Sequence, residues 1–333
     1  LNSRHRRQPG RPSLRSIRKR IHRFLRAGVE ISAVAITGQI IPRLSRRSTR
    51  RLARALGWTL FTCGRQSRRI ALANLDILFG NTRTPEEKKA LALASFRHTA
   101  LIVLDYFWFS RRTHERLAAY CRSEDPRVEK WICGDFPGFF VTAHIGNWEL
   151  AGQYVSSRGR ALWSVYRRIG TRKTLKTLLR FRRATGQRVI AREGAMQGML
   201  RALHENDLVA VVLDQHTDVA DGGIYLDFFG LPATFSNAVG MLAKRRGVPV
   251  CVGCVHHDVQ ADVYRLLSYD EITTEEIEGL SPEAITARIV VAIQRMILDA
   301  PEQWLLAYRR WKRCPPGDDG SRFPFYTRQD SRG

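Results

Sequence analysis

From residue 138 onward, short runs of β-type residues alternate with helical stretches, and this alternation limits the possible folds more than any other feature. The runs cover residues 138–143, 188–191, 208–213, 248–255 and 263–268, and helical patterns fill 147–156, 172–184, 194–205 and 236–246. Strands alternating with helices of this length build an α/β layer fold around a largely parallel sheet flanked by helices. Upstream, Thr84-Pro85-Glu86-Glu87 supplies a cap residue, a proline at the first helical position and a glutamate at the third. That capping box predicts a long helix running toward Phe109. Ser281-Pro282 opens another, over 282–299. The tail from Cys314, rich in proline, glycine and charge, is expected to be mobile. The expected organisation is a helical region over 1–66, an α/β domain over 67–315 and a tail over 316–333.

The formal net charge of +24 suggests a nucleic-acid binder, but its distribution argues otherwise. Residues 1–70 hold 19 Lys/Arg against one acid, Glu30, which leaves only +6 for the remaining 263 positions. Residues 14–29 place apolar side chains at helical spacing among arginines. Such a basic amphipathic helix suits an anionic membrane surface, and a second Arg-studded helix is expected over 46–62. The apolar run 31–42 has 12 residues, fewer than the 17–25 or so a spanning helix needs. The expectation is therefore a peripheral or monotopic protein on the cytoplasmic face of a membrane. Six cysteines in 333 residues make no disulfide framework, which fits a reducing compartment.

Chemistry concentrates at the end of the 138–143 run. His144 follows it directly, Gly146 gives the chain freedom to turn, and a helix opens near Asn147 with Glu149 in its first turn. Across such a turn the two side chains can meet, letting Glu149 hold the imidazole in one tautomer and making His144 a general base. The helix N-terminus favours developing negative charge. A plain structural account also exists: Asn147 caps, Glu149 offsets the helix dipole and His144 is incidental. Asp214 and Gln215 end a buried run, where α/β sheets place their ligand sites. Asp214 there can bind sugar, orient a basic residue or simply be a polar strand end.

His144-Ile145-Gly146-Asn147-Trp148-Glu149 resembles the H-x-x-x-x-E signature of the bacterial lipid A biosynthesis acyltransferases, the late acyltransferases of the lysophospholipid acyltransferase superfamily. Arg69 to Phe79, Thr84 to Glu87, Ser95 to His98, Val165 to Arg167, Leu213 to Gln215, Phe228 to Pro232 and Trp304 to Lys312 are similar to family segments in the same order, over roughly 45–315. Tyr308 departs from the pattern, standing where the resemblance implies histidine. The resemblance implies a glycerolipid-acyltransferase-like sheet and, at the cytoplasmic face of the bacterial inner membrane, transfer of a fatty acyl chain from a thioester, acyl carrier protein being favoured over CoA, to a hydroxyl of a lipid A precursor or related glycolipid or phospholipid acceptor. His144 and Glu149 would be catalytic, and Arg167, Asp214, Gln215 and Asn147 would bind substrate, with Arg167 on an acceptor phosphate. No cofactor or metal is implied. The same chemistry on a mannosylated or amino-acid lipid is one alternative. A non-catalytic basic protein binding membrane or nucleic acid is another.

Other signals are weaker. Cys251-Val252-Gly253-Cys254 with His256 and His257 suggests zinc, yet residues three apart on a strand project to opposite faces. Tyr106 to Phe109 reads as core or membrane anchor, and Gly222-Gly223 as a turn. No G-x-S-x-G elbow or phosphate-binding glycine loop is present.

Overall fold

The computed structural model describes residues 32, 34–166 and 171–329, so the amphipathic segment 14–29 lies outside the described residues. In chain order the helices are α1 (Arg46–Cys63), α2 (Arg65–Phe79), α3 (Pro85–Trp108), α4 (Thr113–Tyr120), α5 (Pro126–Cys133), α6 (Trp148–Ser157), α7 (Arg172–Arg183), α8 (Ala195–His204), α9 (Ala238–Arg246), α10 (Thr274–Gly279) and α11 (Pro282–Asp299). The strands are β1 (Cys121–Ser123), β2 (Gly138–Thr142), β3 (Leu162–Tyr166), β4 (Arg188–Ala191), β5 (Leu208–Val212), β6 (Gly223–Phe228), β7 (Leu231–Ser236), β8 (Val250–Asp258), β9 (Val263–Ile272), β10 (Arg313–Cys314) and β11 (Arg328–Gln329).

Seven strands form one sheet in the order β1-β9-β8-β2-β5-β3-β4, with every neighbouring pair parallel except β8 and β9. β2, the sequence Gly-Phe-Phe-Val-Thr, lies at the centre and is buried at all five positions. A parallel strand covered on both faces carries just such an unbroken apolar run. Along β8, Val250, Val252 and Cys254 enter one half of the core and Cys251 and Val255 the other. The two cysteines thus point away from each other, and burial raises both thiol pKa values, that of Cys251 to about 12. β6 and β7 form a separate antiparallel hairpin.

α3 starts at the Thr84 box, with both reciprocal hydrogen bonds made. Its 24 residues are long and apolar enough to cross a bilayer, with an 18-residue window of mean hydropathy 1.3, and half of that window is buried within the fold. α1 runs along α3, crossing so closely at Gly57 that an added Cβ would lie 2.3 Å from the Arg97 Cα. α1 also sends Arg46 inward to a buried cluster. There Arg46 pairs with Asp105 of α3, reaches the Tyr264 hydroxyl at 3.2 Å and Asp262 at 3.3 Å, and lies over the Trp108 ring. The tail departs from expectation. Through residue 329 it folds back, pairing β11 with β10 and burying Phe323 and Tyr326, whose hydroxyl donates to the Asn74 side chain on α2. Two aromatic side chains outweigh a composition that otherwise reads as disordered.

Candidate active site

Sheet register assembles the site. Thr142 pairs with Val212 at the ends of the parallel neighbours β2 and β5, and Leu213 N–H donates to the Thr142 carbonyl at 2.9 Å. The residues two past each strand end, His144 and Asp214, therefore stand side by side at the carboxyl edge of the sheet. His144 Nδ1 lies 2.6 Å from Asp214 Oδ1, and Trp304 Nε1–H donates to Asp214 Oδ2 at 2.9 Å. Asp214 is only 2% exposed. Burial opposes its charge, but the His144 ring and the hydrogen bonds from His144 and Trp304 more than compensate, holding the carboxyl below its ordinary range. The Gln215 side-chain nitrogen lies 3.2 Å from His144 Nε2, and the Trp148 ring stands edge-on to the imidazole, centroids 4.8 Å apart. With Nδ1–H donated to Asp214, Nε2 carries the lone pair and accepts from the amide. This Nε2 is the basic atom of the site.

The turn between His144 and α6 needs its glycine twice over. Gly146 has φ +57°, and a Cβ there would fall 1.7 Å from the Val255 carbonyl oxygen. That approach lets Asn147 N–H donate to Val255 O at 2.9 Å, while Gly146 N–H reaches Gln303 O at 3.1 Å. Asn147 is 1% exposed. Its Oδ1 accepts from Leu150 N–H at 3.3 Å as a helix cap, and its Nδ2 lies 3.4 Å from Asp105. The structure thus turns this side chain, expected at a bound substrate, into the Arg46–Asp105 cluster.

Glu149 also differs from expectation. Its carboxylate is held by Arg182 of α7 through two contacts, 2.9 Å from Nε and 2.7 Å from Nη2, and both side chains are 12% exposed. The expected pairing with His144 is replaced because Glu149, one position into α6, faces α7 rather than the strand ends. Burial disfavours the Arg182 charge, and Glu149 restores it and more, so the guanidinium ionises more firmly than usual. Tyr106, its ring 4.3 Å from that of Phe181, adds an aromatic neighbour, its hydroxyl held protonated mainly by burial. Beneath Trp148, Glu149 and Arg182 a largely apolar cavity runs between α6 and the sheet, past Phe140 and Ala210 to Trp131 and Val128.

Of the residues singled out from sequence, His144, Asp214 and Gln215 come together, Glu149 lines the cavity and Asn147 is inside the fold. Arg167 falls in 167–170, outside the described residues. Tyr308, standing where histidine was implied, accepts a hydrogen bond from His216 N–H at 3.1 Å through its hydroxyl. Two residues with clear contacts carried no signal of their own. Arg182 lay in a helix of six basic residues, and Trp304 showed only as part of a matching segment.

Comparison with curated proteins gives no match. The family model for bacterial lipid A biosynthesis acyltransferases, by contrast, matches residues 17–313, taking in α1 to α3, the whole seven-stranded sheet and the Trp304 segment. A match over that much of the chain assigns it: the protein belongs to the bacterial lipid A biosynthesis acyltransferase family and is an acyltransferase.

Proposed function

We propose that the enzyme moves a fatty acyl chain from a thioester, acyl carrier protein being the favoured donor, to a hydroxyl of a lipid A precursor, with His144 Nε2 as general base. The observation that carries this reading is the His144–Asp214 contact of 2.6 Å at the carboxyl edge of the sheet, beside a largely apolar cavity. The acyl chain enters along the cavity under α6, which widens to take it, and each methylene it buries contributes about 0.8 kcal/mol. The acceptor hydroxyl displaces the Gln215 amide from His144 Nε2. As its oxygen attacks the thioester carbonyl, its proton passes to Nε2. The tetrahedral oxyanion takes hydrogen bonds from the Gln215 amide and from the N–H groups of Trp148 and Glu149, which a helix leaves without partners in its first turn. Collapse breaks the C–S bond, and the imidazolium returns its proton to the departing thiolate. Glu149 keeps Arg182 fixed in the lining of the cavity, and Arg167 is the candidate contact for an acceptor phosphate.

The N-terminal helices supply the membrane contact in this reading. Leu52, Leu56 and Leu60 form an exposed stripe on α1 at four-residue spacing, with Trp58, Ile36, Ile40 and Val103 also exposed. Apolar side chains displayed within a strongly basic region suit the surface of an anionic bilayer.

The test is mass spectrometry of a lipid A precursor pool incubated with purified enzyme and either acyl carrier protein or CoA thioesters. A gain of one acyl chain with the wild type, lost in His144→Ala, supports the reading and identifies the donor. A gain that survives His144→Ala refutes it, and a gain only on a different lipid transfers the mechanism to that acceptor.

A further inference from the structure

We propose that Trp304 is a positioning residue of the acyl transfer, fixing the Asp214 carboxylate through its indole N–H so that Asp214 presents one oxygen to His144 Nδ1. The inference rests on His144 acting as base, as proposed above. Asp214 has two oxygens and is almost fully buried. One takes the imidazole at 2.6 Å and the other takes Trp304 Nε1–H at 2.9 Å. Without the indole, Oδ2 would lose that donor, and the charge of the carboxylate would bear more heavily on the His144 contact.

Trp304 is itself held from three directions. Its carbonyl accepts from Ser95 Oγ–H of α3 at 2.6 Å. The next residue, Leu305, donates its N–H to the His144 carbonyl at 3.0 Å, and Trp304 bridges Ile145 in the antiparallel sense. Farther on, Asn74 Nδ2 of α2 donates to the carbonyls of both Leu306 and Tyr308 at 2.8 Å. Residues 304–308 therefore form a strap that touches both members of the dyad and is tied to the N-terminal helices. A buried indole N–H takes an acceptor in any fold, and here the acceptor is the carboxylate behind the base.

Among the described residues, the charged and titratable groups around the dyad are few. Arg310, fully buried on the strap side, interacts with Asp214. His216, two residues past Asp214, is bonded to Thr234 and Asp218, with Lys312 nearby. His98 of α3 lies behind the Gly146 turn. Glu149 and Arg182 are engaged with each other.

Removing a hydrogen bond from an ionised carboxylate makes it a stronger base and a better partner for the imidazolium. Trp304→Phe should therefore shift the acid limb of the kcat/KM profile upward by about 0.5–1 pH unit, with KM for both substrates changed less than twofold. Asp214→Asn, which removes the anion, should shift the limb downward and lower kcat by about 10²–10⁴. In the Asp214→Asn background Trp304→Phe should have no further effect, since its route to His144 is gone. Ser95→Ala, a smaller disturbance of the same strap, should produce a weaker upward shift and stands in if Trp304→Phe fails to fold. An unmoved limb in whichever of these variants folds, or effects of Trp304→Phe and Asp214→Asn that simply add, would overturn the role of Trp304. A wild-type profile in Asp214→Asn or in His144→Ala would instead overturn the reading of His144 as base.

Discussion

The Glu149–Arg182 pair separates two accounts of the H-x-x-x-x-E motif, and its energetics can be worked out in advance. Glu149→Gln keeps the shape but leaves the Arg182 guanidinium, 12% exposed, without its counter-charge. Breaking a buried pair costs about 3–5 kcal/mol, and a retained neutral hydrogen bond recovers about 1 kcal/mol of that, so the expected loss is about 2–4 kcal/mol. Arg182→Met leaves the opposite charge, and a carboxylate has an escape that a guanidinium lacks. It can take up a proton, which at pH 7 costs about 1.36 kcal/mol for each unit above its ordinary value near 4.3, or about 3.7 kcal/mol. At pH 5 the same escape costs about 1 kcal/mol. Urea unfolding of both variants and the double substitution, at pH 7 and pH 5, therefore has a definite expected pattern. The Glu149→Gln loss should be equal at the two pH values, the Arg182→Met loss should shrink at pH 5, and the double variant should fall short of the summed losses by about 2 kcal/mol. In the kinetic profile of Glu149→Gln, the acid limb should stay in place, because the carboxylate on His144 belongs to Asp214. Additive losses, or an acid limb that moves with Glu149→Gln and not with Asp214→Asn, would refute the pairing.

Three further outcomes follow from the geometry. Gly146→Ala should abolish turnover and lower stability by more than the 1–2 kcal/mol or so of a left-handed alanine, because its methyl meets the Val255 carbonyl; activity and urea unfolding on one preparation check this. His98 is held neutral mainly by burial, its pKa lowered to about 3. Below pH 6.5 the unfolded chain takes up a proton that the fold refuses, so this group costs stability at up to about 1.4 kcal/mol per unit as pH falls toward 3. His98→Leu should flatten that slope in a pH series of unfolding curves, and an unchanged slope would count against it. Replacing Leu52, Leu56 and Leu60 together with serine should weaken sedimentation with anionic vesicles while leaving turnover on detergent-dispersed substrate within about twofold, since these side chains are exposed and line no part of the candidate active site.

Local chemistry was readable wherever it is written in adjacent residues. The Thr84 box, the start of α11 at Pro282, β4 at 188–191 and the turn around Gly146 all stand where their patterns put them. What escaped depends on which strands become neighbours. Asp214 meets His144 because β5 crosses over to lie beside β2 with Val212 opposite Thr142, and nothing between residues 142 and 212 states that adjacency. Glu149, nearer in sequence, looked like the natural partner and was drawn instead to an arginine 33 positions away on α7. The strap was invisible for the same reason, since Ser95 and Asn74 read as ordinary helix residues until Trp304, Leu306 and Tyr308 arrive beside them.

That strap also sets when the enzyme can become active during its own synthesis. The helices that will grip it leave the ribosome first, the histidine follows near the middle, and the strap that fixes the carboxylate behind the base emerges some 160 positions after it. Such long-range closure is slow and must await the distant segment. Until Trp304 and then Tyr326 have docked, the nascent chain carries the H-x-x-x-x-E motif without a carboxylate aimed at its histidine. If the basic N-terminal region makes the proposed membrane contact, it can thus settle on the bilayer well before any acyl transfer is possible there.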